Sequence, residues 1–193
     1  MLAALARPFR HAAPPEAFDF MQEAGGTAGE LVCLDCAATS LDLRSARLLS
    51  LAAVRIRGNR VLTSSALQLD IAGPEHDDGQ GMSALEAVQK LLRFIGPRPV
   101  VGYWLDFDLE LLEPQIERLL GCPLPNATVE VSALYHARIR RQPRAPHRPL
   151  DLRFETLRRD LELPALESGS PLAHAVLTAL MYLKLSAAPD SQP

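Results

Sequence analysis

The sequence predicts one α/β domain: a mixed sheet, made of an antiparallel β-meander followed by α-β-α-α, flanked by helices. Three observations predict it. Apolar residues make up 48% of the 193-residue chain, which is ample for one medium-sized core. Three strand-like runs follow one another early, the second and third joined at Gly58-Asn59. From Ser83 onward the hydrophobic period changes to that of helices, with one further strand between them. Residues 30–187 read as this domain, residues 1–29 as a leader and residues 188–193 as a tail.

The leader is rich in Ala, Pro and Gly, with Pro14-Pro15 and Gly25-Gly26, and holds one short helix around 17–23. Residues 31–37 form a nearly continuous apolar strand. Residues 48–57 end in the alternation Val54-Arg55-Ile56-Arg57, one face buried and one wet. Gly58-Asn59 is a two-residue hairpin signal, and residues 61–71 return as the third strand. A polar loop with Glu75, His76, Asp77 and Asp78 follows; it has no metal-ligand spacing and reads as exposed.

Ser83-Ala84-Leu85-Glu86 has the form of a capping box and opens a helix to residue 95, with Leu85, Val88, Leu92 and Ile95 at helical spacing. Gly96-Pro97 stops it. Residues 99–105 read as a buried strand, and 107–120 as a helix with Leu109, Leu112, Ile116 and Leu119 on one face. Pro114 is expected to bend that helix or restart it. Then come a short segment near 129–134, a basic Pro-rich stretch, and a helix near 150–161. The last helix starts with Ser170 as cap and Pro171 at its first position, and runs to residue 185.

Charge and cysteine content narrow the function classes. Lys and Arg number 20 against 23 Asp and Glu, a net charge of −3, which argues against a general polyanion binder but allows a local basic patch. No stretch approaches the ~18 apolar residues of a membrane span. Arg7 and Arg10 precede the first acid, Glu16, a thin transit-peptide signal. Cys33, Cys36 and Cys122 are an odd, sparse set that suits a reducing, cytoplasmic location. Cys33 and Cys36 have no second ligand pair to complete a zinc site, and three apart in a strand they point to opposite faces, which argues against a redox pair.

Three segments carry a resemblance. Leu34-Asp35-Cys36-Ala37-Ala38-Thr39-Ser40-Leu41 resembles the first motif of the DEDD 3′–5′ exonucleases of the proofreading epsilon-subunit group, which usually reads D-x-E-T-T-G-L. Val101-Gly102-Tyr103-Trp104-Leu105-Asp106-Phe107-Asp108 resembles the second, which ends in Phe-Asp. Gly169-Ser170-Pro171-Leu172-Ala173-His174-Ala175, followed by Leu177-Thr178-Ala179, resembles the third, usually H-x-A-x-x-D-A and then T-A. The three occur in order over residues 30–186, and the resemblance implies an RNase H-like fold. It also implies four carboxylates around two divalent cations that stabilise the attacking and leaving oxygens of a phosphodiester. A His in the third motif activates the attacking water.

The sequence departs from that pattern. Asp35 and Asp108 match the first and third acids, whereas Ala37 replaces the second and His174 the fourth, and Gly169 stands at the His position. Mg²⁺ wants several oxygen ligands, so two-metal catalysis is expected to be lost or very weak. The leading expectation is thus a degenerate exonuclease-like domain that binds the 3′ end of single-stranded nucleic acid, or a protein partner, without a cofactor. The alternative is a working exonuclease using Mg²⁺ or Mn²⁺ at a site of Asp35, Asp108 and His174, the imidazole favouring Mn²⁺ or Zn²⁺ over Mg²⁺. A purely structural partner domain is the third.

His174, on a helix apolar nearly all round, is expected to face the interior, where it could pair directly with Asp35 or Asp108. Asp106 should point away from Asp108, and Glu167 is a weak stand-in for a missing group. Thr39 and Leu41 match family positions that hold the terminal nucleotide. Trp104, Tyr103 or Phe107 could contact a base where the nucleotide cleft survives, although packing in the core is the leading expectation for these aromatics. Arg138, Arg140, Arg141, Arg144, His147 and Arg148 lie in an acid-free stretch that could grip phosphates or simply be a solvated loop.

Overall fold

The computed structural model describes residues 15–21, 29–73, 81–141, 150–165 and 169–187. The chain begins with a short 3₁₀ turn, Glu16–Met21, whose Phe18 and Met21 are buried. Three strands follow, β1 (Glu30–Ala38), β2 (Leu48–Arg57) and β3 (Arg60–Asp70), with β2 antiparallel to both of the others. Arg57 faces Arg60 across the two-residue turn, where Gly58 takes φ +58°, a left-handed backbone that glycine adopts without a Cβ penalty.

Helix α1 (Ala84–Ile95) opens on the expected capping box. The Glu86 N–H donates to Ser83 Oγ at 3.2 Å, and the Ser83 N–H to Glu86 Oε2 at 3.1 Å. Such a cap is worth about 1 kcal/mol. Strand β4 (Val100–Gly102) lies parallel to β1, and helix α2 (Leu105–Leu120) follows it. Strand β5 (Thr128–Glu130) pairs parallel with β4 and runs directly into helix α3 (Val131–Arg141). Helices α4 (Phe154–Asp160) and α5 (Pro171–Ser186) complete the chain; Ser170 Oγ caps α5 by accepting the Ala173 N–H at 3.2 Å.

The five-stranded sheet has the order β3-β2-β1-β4-β5. Strand alternation divides its side chains between two cores. Val32, Leu34, Leu51 and Val100 pack with the 3₁₀ turn, α1 and α2; Cys33, Val54, Ile56 and Val101 pack with α3, α4 and α5. Cys33 and Cys36 do lie on opposite faces, as strand spacing requires.

Four expectations change. The apolar run 99–105 yields only three strand residues, because the chain turns sharply after Gly102. A Cβ there would stand 2.8 Å from Leu105 Cδ1, so the helix start packs against the strand end. Pro114 does not restart α2, which is one helix from Leu105 to Leu120. The segment near 129–134 is a strand joined to a helix, and that helix takes in Arg138, Arg140 and Arg141, which are therefore not in a loop. The last helix before α5 is shorter than residues 150–161, covering Phe154–Asp160.

Candidate functional site

Strands β1, β4 and β5 are parallel, so their carboxyl ends share one edge of the sheet, the usual place for a site in an α/β protein. Asp35 is near the end of β1, Glu130 ends β5, and Asp108 lies in the first turn of α2 beyond β4. Strand β1 continues to Ala38, whereas its pairing with β4 stops at Cys33–Val101. Asp108 fills the space that this leaves beside β1, and the Cys36 backbone N–H helps to hold its carboxylate.

Both aspartates are taken largely out of water. Asp108 is 4% exposed, and burial, then the neighbouring charge of Asp35, push its pKa up to about 9. Burial alone pushes Asp35 up to about 7. No arginine or lysine is ion-paired with either one among the described residues.

His174 comes to this edge from the first turn of α5, its Nδ1 3.8 Å from Asp35 Oδ2. That is within ion-pair reach and beyond hydrogen-bond length. Its side chain is 44% exposed, so it sits at the rim and not in the interior. Helix α5 packs on β1 and β2 with Ala175, Leu177, Ala179 and Met181 buried, and His174 lies outside that buried set. The His174 ring rests on Phe154 at 5.0 Å, and Phe154 meets Tyr103 edge-on at 5.1 Å. Tyr103 Oη donates to the Leu152 carbonyl at 2.8 Å, tying α4 to the end of β4.

Trp104 does not enter the core. It is 62% exposed and takes the left-handed backbone φ 59°, ψ 35° at the position before α2. For a bulky residue that conformation costs about 1–3 kcal/mol. Its ring stacks on Phe107 with centroids 6.2 Å apart.

Glu130 carries no sequence signal. Its Oε2 accepts the Leu105 N–H at 3.0 Å, capping α2, and its Oε1 accepts the Ser132 N–H and Oγ–H at 3.0 and 2.6 Å. Its charge also adds to the field that raises Asp108.

The remaining candidates lie apart from the acid pair or at its margin. Thr39 is exposed just past β1, where its N–H donates to the Arg47 carbonyl and its hydroxyl accepts the Arg47 N–H, both at 3.0 Å. Leu41 is 70% exposed in the following loop. Asp106 is exposed, unlike Asp108. Arg140 and Arg141 are exposed at the far end of α3, about 15 Å along the helix from Glu130. Arg138 donates to the Lys184 carbonyl at 3.0 Å, near the far end of α5. Arg144, His147, Arg148, Glu167 and the 75–78 loop lie outside the described residues.

Asp35, Asp108 and His174 are thus drawn to one edge. Among the described residues, no group of three or more His, Cys, Asp or Glu is arranged to hold a metal ion. Two carboxylates do not fit a pair of divalent cations, since two negative charges face four positive ones. Also among the described residues, no helix is long and apolar enough to cross a membrane.

No protein-family model and no curated protein matches the sequence. Solved structures match in shape. A structure of exonuclease I superposes with a TM-score of 0.66 at 14% identity, covering 81% of this chain and 40% of that one. Exonuclease I from E. coli in complex with a dT13 oligonucleotide gives 0.64 at 13% identity, over 80% and 40%. The ExoI/SSB-Ct complex gives 0.64 at 14%, over 81% and 41%. The chain therefore spans about 40% of the length of the exonuclease I structures it matches. A five-stranded mixed sheet with helices on both faces, in the arrangement of exonuclease I, is the RNase H-like fold.

Proposed function

We propose that this chain is a 3′–5′ exonuclease-like domain that has lost two-metal catalysis and keeps a cleft for the 3′ end of a single-stranded nucleic acid. One observation carries the reading, the donor set at the carboxyl edge of the sheet. Asp35 and Asp108 stand there, Ala37 follows on the same side of β1 as Asp35, and His174, which the resemblance would align with the fourth acid, lies 3.8 Å from Asp35. A neutral imidazole adds a nitrogen donor and no negative charge, so the deficit against two cations remains.

Retained binding is supported by the shared fold, since E. coli exonuclease I was solved with bound oligonucleotides. It is supported too by the exposed Thr39 and Leu41, which follow β1 beyond Asp35, and by the exposed Trp104 at the head of the helix that carries Asp108. The free thiols of Cys33, Cys36 and Cys122 suit a cytoplasmic location.

The test is digestion of a labelled single-stranded oligonucleotide with Mg²⁺ and with Mn²⁺, alongside fluorescence anisotropy of the same oligonucleotide. The expected result is a rise in anisotropy at low salt with no shortening of the strand. Shortening that disappears in Asp108→Ala would establish a working nuclease built on Asp35, Asp108 and His174. No anisotropy change at low salt would leave only a protein-binding scaffold.

A further inference from the structure

Trp104 is the chain's one tryptophan, and folding does not account for where it sits. Among the described residues only Trp104 and Glu162 combine a side chain with positive φ. Trp104 does not serve the helix it precedes, because its side chain makes no capping bond and Glu130 accepts the Leu105 N–H instead. Nor does it serve either core, being 62% exposed next to two cores that take in other aromatics, Phe18 and Tyr135. Its ring lies over Phe107 at 6.2 Å with only 25° between the planes. An indole backed by a second ring, and open to solvent for most of its surface, stands at the head of the helix whose first turn carries Asp108.

We infer that Trp104 is a stacking platform for a nucleobase, holding one base of a single-stranded end at the rim of the acid pair. The inference rests on the reading of this edge as a nucleic-acid site and adds the contact by which the strand is held. Stacking needs a flat apolar face that is accessible and already rigid, and the Phe107 ring beneath it together with the fixed backbone supplies both. Every base offers a π-face, so the platform tolerates all four and gives affinity with little sequence preference. It also needs neither a metal ion nor the missing carboxylates, so it outlasts the loss of catalysis.

A single tryptophan makes the test direct. A dye-labelled single-stranded oligonucleotide is titrated with the full chain and followed by anisotropy, and intrinsic tryptophan emission is recorded against unlabelled oligonucleotide. The expected result is quenching that saturates at the concentration where anisotropy does. Trp104→Ala should weaken binding by about 5- to 150-fold, the loss of one base–aromatic stack, while Trp104→Tyr recovers most of it. Circular dichroism melting shows whether each variant is folded. Anisotropy that rises without quenching, and is unchanged in Trp104→Ala, overturns the platform and leaves the nucleic-acid reading standing. No anisotropy change in the wild type overturns both.

Discussion

The two ends of β1 treat a buried carboxylate in opposite ways. Glu30 begins the strand and is 6% exposed, yet it is matched on both oxygens: Arg57 reaches Oε1 at 2.5 Å and Arg98 reaches Oε2 at 2.7 Å. Asn126 steadies the turn that carries Arg98, its Nδ2 donating to the carbonyls of Gly96 and Arg98 at 2.7 and 2.8 Å. Five residues on, about 17 Å along the strand, Asp35 lies beside Asp108 with the rim histidine as its nearest cationic candidate. The fold thus compensates a buried acid fully where the acid serves structure. At the other end it leaves two acids poorly compensated and places a left-handed tryptophan beside them. Local destabilisation concentrated at one edge is what the proposed binding site would call for.

The largest expected effect is on the compensated end. Arg98→Met leaves Glu30 facing only the exposed Arg57, and should cost about 3 kcal/mol in urea unfolding at pH 7. A loss under about 1 kcal/mol would show that the pair is ornamental and erase the contrast. The opposite sign is expected at the other end. Asp108→Asn removes a group that must stay protonated in a buried place, and should stabilise by about 2 kcal/mol at pH 8 and by almost nothing at pH 4.

The pH dependence follows from the directions of the shifts. Hydrogen bonding from Arg98 leads the lowering of Glu30, so its stabilisation is full above the ordinary value of 4.5 and fades as pH falls through the lowered one. Asp35 and Asp108 go the other way. The unfolded chain releases their protons near 3.8, while the folded chain holds them to about 7 and about 9. Stability therefore falls as pH rises from about 4 through those values. Urea midpoints across pH 3 to 9 should show both limbs, with Arg98→Met flattening the acid limb and Asp108→Asn the alkaline one.

What was legible in the sequence was decided within a few residues. The Ser83–Glu86 capping box, the Gly58-Asn59 turn, the Ser170-Pro171 helix start and the opposite faces of Cys33 and Cys36 all follow from local spacing, and all are present. The triplet of motifs likewise brought Asp35, Asp108 and His174 to one edge. What was hidden depends on distant partners. Glu30 meets Arg98 across 68 positions, and Glu130 caps Leu105 across 25, so neither role has a local signature. The run 99–105 reads as strand from its apolar residues, but the turn at Trp104 and the cap from Glu130 end it early. Arg138 to Arg141 read as loop from the prolines that follow in the sequence, whereas α3 runs from Val131 to Arg141.

A smaller effect tests the missing acid. Ala37→Glu puts a carboxylate back on the Asp35 side of β1. In chelator it should destabilise by about 1 kcal/mol, one pKa unit of added repulsion between neighbouring carboxylates. Millimolar Mn²⁺ should reverse the loss in the variant and move the wild-type melting temperature far less. Equal Mn²⁺ responses in the two proteins would mean that Asp35 and Asp108 already suffice to hold an ion.

The smallest effect is expected at Trp104, because two opposing terms nearly cancel. Replacing it with glycine frees the left-handed backbone of about 1–3 kcal/mol of strain. The same change removes the stack on Phe107, worth about 0.5–1.5 kcal/mol, and gives the unfolded chain more freedom to lose. Trp104→Gly should therefore unfold within about 1 kcal/mol of the wild type while losing oligonucleotide affinity. A structural role predicts the reverse, a large loss of stability with binding unchanged once folded protein is compared. Stability kept and binding lost would place the cost of this residue on the function of the edge, as the contrast with the fully matched Glu30 requires.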